Sequence, residues 1–116
     1  MWWWISGISG ALAVACGAFG AHGLKARVEP ELLDIWQTAA HYHLLHAIVL
    51  LALTASPQPP TLGTWLILVG TIIFSGSLYT LVLTDTRWLG AITPIGGVCL
   101  ILGWLTIAYY GAKSLQ

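Results

Sequence analysis

The chain has 116 residues, 58% of them hydrophobic and only 7% charged, with zero formal net charge and a mean hydropathy of +0.84. An ordinary soluble domain is about 25% charged, so four basic and four acidic side chains are too few to cover a water-soluble fold of this size. The basic residues Lys25, Arg27, Arg87 and Lys113 are scattered, which excludes an electrostatic nucleic-acid surface.

A bilayer core about 30 Å thick needs roughly 20 apolar residues in a helix, and the charges leave four such stretches. The first covers residues 2–23 and holds no charged side chain; Lys25 to Asp34 then carries five of the eight charges. The second, residues 38–56, is closed by Pro57-Gln58-Pro59-Pro60, because proline lacks an amide donor and disfavours a helical predecessor. The third, residues 62–84, ends at Asp85-Thr86-Arg87, and the fourth, residues 88–111, ends before Lys113. The predicted fold is all-α: a polytopic membrane protein, one compact bundle of four transmembrane helices embedded in the lipid bilayer.

Tryptophan and tyrosine favour the membrane–water interface and mark the same boundaries. Trp2, Trp3 and Trp4 open the first span, Trp36 precedes the second, Trp65 and Trp88 open the third and fourth, and Tyr109 and Tyr110 close the fourth. The first and third connections carry Lys25, Arg27 and Arg87, against Lys113 for the termini and second connection, so the positive-inside rule places both termini outside the cytoplasm. The first span lacks the basic n-region of a signal peptide and its apolar run of about 22 residues exceeds the usual h-region; it is expected to be retained. Cys16 and Cys99 fall within hydrocarbon and lack metal-type spacing, so they read as small apolar residues.

Small residues allow membrane helices to approach closely. Gly7, Gly10, Gly17, Gly20 and Gly23 of the first span, Ser75-Gly76-Ser77 of the third, and Gly90, Gly96, Gly97 and Gly103 of the fourth predict tight packing and association as a homo-oligomer or with another membrane protein. Two segments are candidates for irregular backbone. Three glycines at spacing three weaken the helix over Gly17 to Gly23, and Thr93-Pro94 reads either as a kink or as an N-cap followed by proline in the first turn.

The four histidines are His22, at the end of span one, and His41, His43 and His46 in span two. Helical spacing puts His43 and His46 on one face with Trp36, Ala39 and Leu50, and His41 on the opposite face with Asp34, Gln37 and Thr38. Ionisable side chains inside a span are functional candidates. Neutral imidazoles of His22, His43 and His46 can ligate a metal or haem iron, relay protons, or hydrogen-bond across helices to Tyr42, Tyr79, Ser75 and Ser77. The zinc-hydrolase His-Glu-x-x-His spacing is missing, no carboxylate lies within a span to act as a base, and an enzyme is the least favoured class.

Gly17-Ala18-Phe19-Gly20-Ala21-His22-Gly23-Leu24, Trp36-Gln37-Thr38-Ala39, His46-Ala47, Phe74-Ser75-Gly76-Ser77-Leu78-Tyr79 and Trp88 to Gly97 together resemble the membrane family called domain of unknown function 423. These are small bacterial inner-membrane proteins related to animal transmembrane protein 256. The resemblance implies a four-span protein of the bacterial plasma membrane whose activity is not established, and it falls on His22 and His46 more than on His41 and His43. The reading that follows is a non-enzymatic membrane protein with a polar pocket formed by His22, His46, Ser75, Ser77, Tyr79 and Thr93, taking a small ligand, lipid group or proton. A haem- or metal-binding component and a purely structural or assembly protein are the alternatives.

Overall fold

A computed structural model describes residues 1–114 as four long helices. Helix α1 spans Trp2–Phe19 and runs on as a wider π turn over Gly20–Leu24. Helix α2 spans Pro30–Ala55, α3 Thr61–Thr84, and α4 Thr93–Ser114 after a 3₁₀ turn over Arg87–Ala91. All four are long and apolar enough to cross a membrane.

Local chemistry sets these ends. Helix α2 starts eight residues before the charge-free stretch, since Pro30 fits the first turn of a helix and the charged side chains of that turn lie beyond the apolar core. Asp85, at φ 51°, ends α3 in the left-handed region, its N–H returning to the Leu81 carbonyl. Thr93-Pro94 opens α4 rather than kinking it, and residues 87–91 form a 3₁₀ lead-in. The weakened glycine segment became the π turn, with Gly20 buried beneath the indole of Trp36.

Backbones approach closely between α1 and α2, α2 and α3, and α3 and α4, the order of an up-and-down bundle. Arg87 ties together the two connections at one end, its guanidinium 3.0 Å from both Glu31 and Asp85. These groups are exposed, and such pairs contribute little stability. Two apolar clusters lie toward opposite ends: Leu24, Leu32, Trp36, Leu81 and Val82 beside the charged connections, and Leu50, Ile67 and Leu100 beyond. The polar side chains of α2 and α3, including His43, His46, Thr71 and Ser75, fall between them along the chain.

The glycines divide by what they face. Gly70, Gly96 and Gly103 form the α3–α4 seam, where added methyl groups would meet the facing helix at 2.9 Å or less. Among the described residues Gly7, Gly10 and Gly17 have nothing within 4 Å of such a methyl group, so these three face outward, whereas Gly20 packs against α2.

Candidate functional site

His43 and His46 are three residues apart, an offset of about 60° around a helix of 3.6 residues per turn. That offset sends them to different neighbours. His46 is buried and faces α4: its Nδ1 lies 2.7 Å from the Tyr42 carbonyl oxygen and its Nε2 accepts the Trp104 indole N–H at 3.1 Å. A carbonyl only accepts and an indole only donates, so both contacts require the same neutral tautomer, protonated at Nδ1. His46 is thereby held in one state as a strut between α2 and α4.

His43 turns toward α1 and α3. Its Nδ1 is 3.0 Å from the Tyr79 hydroxyl and its Nε2 is 3.2 Å from the Ser9 hydroxyl, so one imidazole joins three helices. A hydroxyl can donate or accept, and neither contact dictates the tautomer. Tyr79 is steadied by Trp36, whose ring centroid lies 4.6 Å away. Trp36 is anchored in turn, its indole N–H donating to the Cys16 carbonyl at 2.7 Å.

The Ser9–His43–Tyr79 chain lies in a cleft of about 500 Å³ between α1 and α3. Trp4, Ile8, Leu12 and Cys16 form one wall; Leu68, Thr71, Ile72, Ser75, Gly76 and Tyr79 form the other, with His43 between them. Ile8 and Ile72 are exposed, so the cleft opens at the side of the helices rather than at their ends. This volume suits a small molecule, and an apolar wall with a few placed polar groups is the usual character of such a site. A larger depression of about 920 Å³ lies among Gln58, Pro59, Pro60, Trp65, Tyr110 and Lys113. It sits at the helix ends, where tryptophan, tyrosine and lysine are ordinary interface residues.

The six pocket positions expected from the sequence occupy separate places. Ser75 and Tyr79 line the α1–α3 cleft, where Ser75 is buried and its hydroxyl donates to the Ala39 carbonyl at 2.8 Å. Ser77 and Thr93 meet across the α3–α4 seam with hydroxyl oxygens 2.6 Å apart. His46 lies between α2 and α4, and His22 is exposed in the π turn. His41 is exposed with Asp34, Gln37 and Thr38, the outward face that helical spacing indicated. No cluster of three or more His, Cys, Asp or Glu able to hold a metal forms among the described residues.

Ser9 is the member of the hydrogen-bonded chain that the sequence did not single out. A serine in an apolar helix commonly returns its hydroxyl to the preceding turn, as Ser6 does to the Trp2 carbonyl at 2.9 Å. Only the partner on α2 distinguishes Ser9, and that contact is tertiary.

Residues 16–97 match the family described as "Protein of unknown function (DUF423)". The membrane protein YwdK of Bacillus subtilis is 39% identical over 117 residues, covering 96% of this chain and 95% of the relative. The membrane protein SSP2132 of Staphylococcus saprophyticus is 44% identical over 108 residues, covering 89% of each. A third membrane protein, SAB0533 of Staphylococcus aureus, is 41% identical over 107 residues, covering 89% of this chain and 88% of its own. No solved structure matches the chain. Length of match, identity and four membrane-spanning helices lead to one conclusion: the chain is a multi-pass membrane protein belonging to the DUF423 family.

Proposed function

We propose that the protein binds a small membrane-soluble molecule in the lateral cleft between α1 and α3. The observation that supports this reading is the pairing of an apolar opening to lipid with the Ser9–His43–Tyr79 hydrogen-bonded chain inside it. Polar groups placed solely to hold the helices together need no cavity beside them.

The test is labelling in native membranes with a lipid-diffusible alkyl diazirine, followed by peptide mapping. Labels are expected to concentrate on Ile8, Leu12 and Ile72 and to disappear from them in a Gly76→Leu variant, whose new side chain enters open space beside the cleft. Labelling spread evenly over lipid-facing α4 would defeat the reading.

The protein is proposed to lie in the bacterial plasma (inner) membrane with both termini outside the cytoplasm. Lys25, Arg27 and Arg87 support this orientation, since the Arg87–Glu31 contact brings their two connections to the same end. An alkaline phosphatase fused after Gln116 should be active and a green fluorescent protein fused there should be dark; the reverse pattern would invert the orientation.

A further inference from the structure

The chemical class of the ligand follows from the chain of hydrogen bonds within the cleft, and this inference rests on the cleft being a binding site. Ser9, His43 and Tyr79 have two proton arrangements that differ only in direction. In one, Ser9 donates to Nε2 and the Nδ1–H donates to Tyr79, leaving the tyrosine O–H free to donate onward. In the other, Tyr79 donates to Nδ1 and the Nε2–H donates to Ser9, leaving the serine O–H free and the phenol oxygen ready to accept. Both directions keep the imidazole neutral and both of its nitrogens paired.

His46 has no such freedom, because its carbonyl and indole partners allow one tautomer. The contrast assigns different work to neighbouring histidines: one fixes a helix pair, and the other adjusts to what it meets. Among the described residues no Asp, Glu, Lys or Arg lines the cleft, so a charged head group would enter an apolar site without a counter-charge from them, which is strongly unfavourable.

We propose that the cleft selects uncharged amphiphiles whose head group is a carbonyl or hydroxyl oxygen, the reversible Ser9–His43–Tyr79 chain accommodating acceptors and donors alike. Two membrane sources share this chemistry: quinones, which accept until reduced to donating quinols, and long-chain alcohols or acylglycerols, which do both.

The test is thermal unfolding of the protein in lipid nanodiscs with four probes of equal chain length: 2-decyl-1,4-naphthoquinone, 1-decanol, decanoate and decyltrimethylammonium. The naphthoquinone and the alcohol are expected to raise Tm saturably, and the charged pair to leave it unchanged. Stabilisation by the naphthoquinone alone identifies the quinone source, and by decanol alone the alcohol source. Tyr79→Phe and, independently, Ser9→Ala should each weaken binding about tenfold, the loss expected for one hydrogen bond in a dry site. Gly76→Leu should fold normally and bind none of the probes. Equal stabilisation by the charged probes, lost in Gly76→Leu, would overturn the head-group assignment while leaving the cleft as a binding site. Failure of all four probes, or binding that survives Gly76→Leu, would overturn the cleft itself. A dimer that Gly76→Leu dissociates would show that a second copy fills the cleft, and would overturn both.

Discussion

Replacing Gly96 with alanine is expected to destabilise the protein by about 3 kcal/mol, the upper part of the usual cost of overpacking. The added methyl group would lie 2.8 Å from the Phe74 Cα and 2.9 Å from the Gly70 carbonyl oxygen, and closer still to the Phe74 nitrogen. All three are backbone atoms of α3, so no rotamer change relieves the contact and the helices must separate. The separation would also loosen the Ser77–Thr93 contact on the same seam. Gly103→Ala should cost less, because its first obstacle is the Ile67 Cδ1 atom at 2.9 Å, the end of a side chain. Gly76→Ala meets nothing within 4 Å and should be neutral or slightly stabilising through helix propensity. Unfolding in mixed micelles checks this ranking; equal effects for Gly96→Ala and Gly76→Ala would refute close backbone packing at the α3–α4 seam.

Trp36→Ala should cost about 3 kcal/mol or more, as expected when a large buried aromatic is truncated. Trp36 is 4% exposed and belongs to the apolar cluster formed with Leu24, Leu32, Leu81 and Val82. Its ring also packs on Gly20, where a methyl group would come within 2.5 Å of Cδ1, and on Tyr79. The variant therefore loses a core residue and the support for one end of the hydrogen-bonded chain. Trp36→Phe keeps most of the volume but removes the N–H bond to the Cys16 carbonyl, so it should cost only about 1 kcal/mol. Denaturation of the two variants side by side separates packing from hydrogen bonding. If Trp36→Phe cost as much as Trp36→Ala, the indole N–H would dominate and ring packing would not be the main contribution of Trp36.

The helical architecture was legible because the bilayer makes charge position informative. Lys25 to Asp34 and Asp85 to Arg87 mark two connections, and Pro57 to Pro60 mark the third. The site was less legible because side-chain partners across helices depend on rotation about each helix axis, which hydropathy hardly specifies when every face is apolar. Spacing placed His43 and His46 on a shared broad face, yet an offset of one-sixth of a turn gave one to α1 and α3 and the other to α4. Ser75, Ser77 and Tyr79 read as one patch in the sequence. In the folded chain Ser77 turns to Thr93, while Ser75 and Tyr79 turn to the cleft. Ser9 carried no distinguishing local signal, and its relation to His43, 34 positions away, exists only once α1 and α2 pack.

Methyl NMR of isoleucine-labelled protein in lipid nanodiscs, titrated with 2-decyl-1,4-naphthoquinone, separates binding in the cleft from adsorption along the apolar surface. Ile8 and Ile72 border the cleft and are 54% and 61% exposed, while Ile95 and Ile101 on α4 are 58% and 60% exposed, so the pairs face lipid equally and differ in position. Binding in the cleft predicts saturable shifts at Ile8 and Ile72 with Ile95 and Ile101 unmoved. Equal, non-saturating shifts at all four, or shifts confined to α4, would contradict it.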